Sequence, residues 1–253
     1  MIVGMVEEHQ VDILMLAESR ISHHSILKSL NRATSEFHLP ISLCEKVFIY
    51  TRFNGELIEP LYESPRITIR RLRLPARMEI LLAAVHFPSK LRWSGESQMF
   101  QCTELARLIR DTEEQIGHQR TILIGDLNMN PFEPGVVSAS GLHAVMTREV
   151  ALRRTRTVEG RQHPFFYNPM WGRFGDSTEG PPGTYYYTRS EQVSFFWNMF
   201  DQVLVRPELL EFFRNEDIKV LSECGDSLFL SQKGLPKKSV LSDHLPVLFK
   251  LSV

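Results

Sequence analysis

The run Thr121-Ile-Leu-Ile-Gly-Asp-Leu-Asn-Met-Asn130 constrains this chain more than any other stretch, because a short apolar segment empties directly into a glycine and two polar residues. Thr121 to Ile124 has the β-branched character of a strand covered on both faces, Gly125 permits close backbone approach, and Asn130-Pro131 reads as a turn. The strand therefore ends at Asp126–Asn128. Side chains alternate along a strand, which sets the Asp126 carboxylate beside the Asn128 amide and turns Leu127 into the core. Such a pair either closes an Asx turn or holds a water and a phosphoryl oxygen, and the segment alone supports both.

The same pattern, an apolar strand delivering a polar group, recurs along the chain. Residues 1–9 resemble the tail of a helix, and Val11–Leu16 is a strand with Glu18 at its exit. A helical stretch spans Ser22–Arg32, and β-rich Leu39–Phe53 ends in Asn54-Gly55, a hairpin turn signal. Arg66–Leu74 alternates basic and apolar residues as an exposed antiparallel strand would. Met78–Val85 is a second buried-type strand and delivers His86 just before Phe87-Pro88. From Ser97 to Gly117, Leu105, Leu108, Ile109, Thr112 and Ile116 fall at helical spacing, with Ser97 as N-cap and Gly117 as stop. Arg161–Tyr187 is a long region rich in aromatics, Gly and Pro, whose rings either stack on bases or close a small core. β character returns in Trp197–Val205 with Asp201 just inside it, Pro207 opens a short helix, and Ser242-Asp243-His244 precedes the terminal strand Leu245–Leu251.

With 253 residues, 43% of them hydrophobic, and no linker, repeat or low-complexity segment, residues 1–253 read as a single domain. Cys44, Cys102 and Cys224 form no CxxC pair, which argues against a thiolate zinc site or a disulfide framework and for a reducing compartment. The longest apolar runs are too short to span a membrane, so a soluble cytoplasmic protein is expected. A net charge of −1 neither demands nor excludes a polyanion, although arginines cluster at Arg66–Arg77 and Arg148–Arg161.

Glu18, His86, Asp126/Asn128, Asp201 and Asp243/His244 all lie at or near ends of apolar β segments, and each type serves metal-assisted phosphoester hydrolysis. Glu18 and Asp243 are hard oxygen ligands suited to Mg²⁺ (or Mn²⁺). Asp126 can orient or deprotonate the attacking water, and Asn128 can donate to the developing charge. His244, held by a carboxylate such as Asp201, is either an imidazolium facing phosphoryl oxygens or a base, depending on its pKa.

In order and across nearly the whole chain, the strand ending in Glu18, Val85-His86, Gly125-Asp-Leu-Asn128, Asp201 and Ser242-Asp-His244 resemble the motifs of the endonuclease/exonuclease/phosphatase superfamily, typified by deoxyribonuclease I. The resemblance implies an α/β fold, a four-layer α/β/β/α sandwich with two packed mixed or antiparallel sheets, and a divalent-metal phosphoesterase. By matching positions it makes Glu18 a metal ligand, Asp126 and Asn128 the pair that handles water and phosphate, Asp201 the orienter of His244, and Asp243 a second-site ligand. His86 corresponds to a general acid that is accompanied by a carboxylate. Superfamily members also carry an earlier strand ending in a metal- or phosphate-binding Asn, so the reading frame is expected to extend upstream of Met1. Nucleic acid is the expected substrate; a phospholipid or small phosphoester, or a catalytically impaired binding homologue, are the alternatives.

Overall fold

A computed structural model describes all residues except 33–35, 92, 177–178, 189, 191 and 238–241. The elements are α1 (Ile2–Glu8), β1 (Ile13–Ala17), α2 (His23–Leu30), β2 (Val47–Thr51), β3 (Ile58–Glu63), β4 (Ile67–Leu72), β5 (Ile80–His86), α3 (Gly95–Ile116), β6 (Thr121–Asp126), α4 (Pro134–Val137), β7 (Ala144–Val145), α5 (Arg148–Ala151), β8 (Thr155–Val158), β9 (Arg161–Pro164), β10 (Phe166–Tyr167), β11 (Tyr185–Tyr186), β12 (Trp197–Asn198), β13 (Asp201–Val205), β14 (Ile218–Val220), β15 (Glu223–Cys224), β16 (Ser227–Leu228) and β17 (Val247–Phe249). Short 3₁₀ turns join several of them.

Alternation along the strands explains the layers. In β5, Ile80, Leu82 and Ala84 face one core while Leu81, Ala83 and Val85 face another. β6 and β13 divide in the same way: Ile122, Val203 and Val205 go to the first core, Leu123 and Leu204 to the second. The second core is closed by Cys102, Leu105, Ala106 and Ile109 of α3, and the first by Val47 and Ile49 of β2 with Ile218 and Val220 of β14. Beyond β1 and β2, a third core packs Val6 of α1 with Ile26 and Leu30 of α2. The order helix, sheet, sheet, helix follows, as expected from the motifs. A fully buried Leu such as Leu123 stabilises this arrangement by roughly 1.5–3 kcal/mol.

The large sheet has the order β3-β4-β5-β6-β13-β10-β7; β5–β6 and β10–β7 are parallel and the other pairs antiparallel. The facing layer is built from two antiparallel pairs, β1–β2 and β14–β17, among the described residues. The β5–β6 register sets Val85 opposite Gly125 and His86 opposite Asp126. A Cβ on Gly125, whose φ is 148°, would lie 1.9 Å from the Val85 carbonyl oxygen, so only glycine lets these two strand ends approach so closely.

Three local expectations are corrected. Asn54-Gly55 is no hairpin: Asn54 has φ −52° and its side chain accepts from the Glu56 N–H at 2.9 Å, opening a 3₁₀ turn that carries the chain from β2 in one layer to β3 in the other. Type I′ turns need positive φ at both central residues, and this asparagine lacks it. β4 is not an exposed strand but lies between β3 and β5, with Arg70 only 1% exposed. Its guanidinium is accommodated by Glu63, the Thr68 hydroxyl and the Ile41 carbonyl, which meets the requirement that buried charge be paired. The cap of α3 is Ser94, which accepts from the Ser97 N–H at 3.2 Å; Gly117 at φ 76° ends the helix as expected. The three cysteines are free and buried.

Candidate active site

Asp126 leaves β6 beside His86 at the end of β5 and opposite Asp201 at the start of β13, so three neighbouring strands deliver three titratable groups to one edge. The Asx-turn reading of the Asp126–Asn128 pair holds. Asp126 Oδ1 accepts the Asn128 backbone N–H at 2.7 Å, an Asx turn, while Oδ2 accepts the Asn128 side-chain amide at 2.8 Å. That amide also donates to the Phe87 carbonyl at 2.9 Å, so in this state Asn128 orients Asp126 and ties it to the end of β5. Leu127 is buried, as its alternation requires. Glu18 and Asn128 both sit at φ 51°, uncommon for residues other than glycine and of a kind that collects at functional sites.

His244 Nδ1 lies 2.7 Å from Asp201 Oδ2. Ligand atoms of Asp126, Asp201 and His244 fall within 4.8 Å of one another. Burial and the neighbouring Asp201 push the Asp126 carboxyl up to about 7. Burial opposes charge on His244, yet the charge and hydrogen bond of Asp201 outweigh it and lift the imidazole to about 10. For Asp201 the balance runs the other way: burial raises its pKa, and His244 brings it below the usual carboxylate value. The dyad is therefore an imidazolium–carboxylate pair at neutral pH. His86 Nε2 stands 3.5 Å from Asp126 Oδ2 and 3.7 Å from Glu18 Oε1, and these are the carboxylates that accompany it. Burial depresses the His86 pKa, so it is a neutral imidazole here, and its Nδ1 is buried without a hydrogen-bond partner.

Of the residues singled out in the sequence, Glu18, His86, Asp126, Asn128, Asp201 and His244 meet at this edge, whereas the Asp243 side chain is exposed and touches the others only through its charge on His244. The donor set suits a hard divalent cation. The Glu18 side chain is 71% exposed at the mouth, Asp126 is next to it across His86, and the negative charge of Asp201 and Glu18, which adds to burial in raising the Asp126 pKa, is what a bound cation would offset. No cysteine belongs to the group.

A buried polar network beneath the site was not visible in the sequence. Asn130 donates to Asn198 Oδ1 at 3.0 Å and accepts from the Met199 N–H, while Gln202 donates to the Met129 carbonyl at 2.6 Å. These bonds fasten the loop after β6 to β13. Arg66, whose Nη1 donates to the His86 carbonyl at 3.2 Å, is the member of the first arginine cluster that reaches the site; Arg70 and Arg71 are paired with Glu63 and Glu59. In the second cluster, Arg148 donates to the Leu210 and Phe213 carbonyls as a structural tie. Thr155 and Pro164 of the β8–β9 hairpin line a cavity with His118 and Gln119, at the end of β6 away from Asp126, so the hairpin lies at the opposite end of the sheet from the candidate site.

No sequence-family profile matches the chain, and no curated protein is significantly similar to it in sequence. Solved structures are similar over almost its whole length. An AP endonuclease from Archaeoglobus fulgidus shares 15% identity at a TM-score of 0.55, covering 100% of this chain and 93% of that one. TDP2 of D. rerio, complexed with a single-strand DNA product, shares 14% at 0.55, covering 97% and 88%. ANGEL2, a 2′,3′-cyclic phosphatase, shares 14% at 0.58, covering 98% and 83%.

The chain has the deoxyribonuclease I-like fold of these structures. Within that fold, the edge where β5 and β6 end and β13 begins is the place where these acidic and histidine side chains gather. Among the described residues no helix is long and apolar enough to cross a membrane.

Proposed function

We propose that this protein is a divalent-metal-dependent phosphoesterase that cleaves phosphodiester bonds of nucleic acid by attack of an activated water. The observation that carries the reading is the charged Asp201–His244 pair held within reach of an Asp126 whose pKa lies near 7. Asp126, steadied by Asn128, accepts the proton of the attacking water, because a base poised near the working pH combines availability with driving force. The His244 imidazolium stabilises negative charge on the phosphoryl oxygens, and Asp201 keeps it protonated and aimed. That charge state favours the imidazolium role of His244 over the base. Glu18, with Asp126 as the neighbouring oxygen donor, would hold Mg²⁺ or Mn²⁺, which supplies Lewis-acid polarisation of the phosphoryl group when bound, while Asp243 stands apart as the candidate ligand of a second ion. The neutral His86 fits a hydrogen-bonding role at the leaving or bridging oxygen.

Nucleic acid as the substrate class is supported by the fold neighbours that act on or bind DNA, and by Arg66 beside His86. The test is a panel of plasmid, single-stranded oligonucleotide, sphingomyelin vesicles, a 2′,3′-cyclic nucleotide and a chromogenic phosphodiester, each with Mg²⁺, Mn²⁺ or excess chelator. Cleavage of the nucleic acids that stops on chelation is expected. Hydrolysis confined to vesicles or to the cyclic nucleotide would transfer the substrate assignment, and undiminished hydrolysis in chelator would refute metal dependence.

A further inference from the structure

The segment Gly183–Tyr185 lies in the long region before β12, which is rich in glycine, proline and aromatics. A Cβ on Gly183 would fall 2.6 Å from the Asn198 carbonyl oxygen, so the absence of a side chain lets this segment press against β12. Thr184 is thereby fully buried, with its N–H donating to the Asn198 carbonyl at 2.9 Å. Its hydroxyl oxygen accepts the backbone N–H of Phe200 at 3.2 Å and of Asp201 at 3.1 Å, and the hydroxyl group also hydrogen-bonds the Asp201 carboxylate. Its carbonyl accepts the Leu245 N–H at 2.7 Å, and Tyr185 forms a β-bridge to His244 with ring centroids 4.7 Å apart. Thr184 thus touches Asp201 directly and holds the backbone at Leu245, one residue beyond His244, while its neighbour Tyr185 contacts His244 itself; the two members of the dyad are 43 positions apart in the chain.

We infer that Thr184 is a positioning residue, a clasp whose hydroxyl fixes the Asp201 carboxylate and whose carbonyl fixes the backbone beside His244, so that the two meet in the observed geometry. The inference concerns the dyad and rests on the phosphoesterase reading only for its consequence in catalysis. Asp201 has two free-standing requirements, a fixed backbone and a fixed carboxylate rotamer, and a single hydroxyl meets both. Valine matches threonine in shape but offers neither acceptor nor donor; serine keeps both.

The experiment compares wild type, Thr184→Val and Thr184→Ser, each also combined with His244→Ala, with circular dichroism confirming the fold. The first readout needs no activity: the hydrogen-bonded His244 Nδ1–H proton resonance, identified by its loss in Asp201→Asn. It should persist in Thr184→Ser and be lost or exchange-broadened in Thr184→Val; an unchanged resonance in a folded Thr184→Val overturns the inference. The second readout is steady-state kinetics on the chromogenic phosphodiester. Thr184→Val should lower kcat at least tenfold with KM within about twofold, Thr184→Ser should stay within about threefold of wild type, and Thr184→Val should add nothing in the His244→Ala background. Equal losses in both backgrounds also overturn it. If Thr184→Val does not fold, Thr184→Ser and Thr184→Ala carry the same comparison. A wild type without phosphoesterase activity would refute the proposed function, and the resonance would still decide the clasp.

Discussion

His244 and Asp201 face each other at 2.7 Å across two chain segments that share no strand pairing, and each is the main reason for the other's charge state. His244→Ala is expected to lower kcat by about 10²–10⁴-fold, the range for groups that transfer protons or stabilise charge in the transition state. Asp201→Asn should cost less, about 10–10²-fold, as supporting residues do. Because the two act as a unit, the double variant should match His244→Ala. Losses in kcat that multiply would show independent roles.

Asp126 should titrate near pH 7 in the metal-free protein, since burial and Asp201 raise its carboxyl from the ordinary 3.8. As the proton acceptor it works ionised, so the rate should rise with pH through its midpoint. Mg²⁺ near it favours the carboxylate and should move that midpoint down. Its ¹³C carboxyl resonance measured with and without Mg²⁺ checks both statements; a midpoint near 4 without metal would contradict them.

Glu18→Gln keeps the shape of the side chain and removes one ligand charge at the mouth of the site. The Mg²⁺ concentration for half-maximal activity should rise by about tenfold or more, a change of the size seen when residues around a metal are altered. Isothermal titration of Mg²⁺ into both proteins gives the same comparison without turnover. Identical titrations would leave Glu18 as a solvated loop residue.

Gly125→Ala would drive a methyl group into the Val85 carbonyl and force an L-residue to φ 148°. Overpacking of this kind costs about 1–3 kcal/mol, which for a chain of this size lowers Tm by roughly 2–12 °C. Activity should fall too, because strand separation parts His86 from Asp126. A thermal scan with unchanged Tm would show that β5 and β6 can move apart freely.

His143, buried at φ 51° and packed on the Phe165 ring at 4.2 Å, has its pKa held down to about 4 by burial first and by nearby Arg156 second. Folded protein keeps it neutral, whereas the unfolded chain protonates it below its ordinary value of 6.5. Its contribution is therefore complete above pH 6.5 and is lost as pH falls towards 4, on the order of 2–3 kcal/mol in all. His143→Asn tolerates the same backbone and does not titrate in this window. Urea midpoints at pH 7, 6, 5 and 4.5 should fall more steeply for wild type; parallel curves would remove His143 from the acid response.

The motif residues were legible because local chemistry announced them: apolar strands with polar groups at their ends, Glu18, His86 and Asp126 at exits and Asp201 at an entry, and a Gly125 whose packing need matches its position. Helix α3 and the ends of β6 followed from periodicity and from Gly117. Asn54-Gly55 misled because a turn dipeptide reports what φ values are tolerated, while layer-to-layer crossing decided which were used. Arg70 misled because its burial depends on Glu63, a partner that hydrophobic alternation along β4 does not register. The arginine clusters divided for the same reason: Arg66 reaches the site while Arg148 ties two loops, and nothing in their spacing separates them. By itself, then, the sequence determined the strands β1, β5, β6 and β13, which polar residue lies at or near the end of each, and that those residues suit phosphoester chemistry. Only the tertiary structure decided the β5–β6–β13 adjacency that brings them together, the charge states of Asp126 and His244, and the placement of Thr184 between Asp201 and the backbone at Leu245 beside His244, because pKa values and hydrogen-bond partners depend on burial and on groups tens of residues away in the chain.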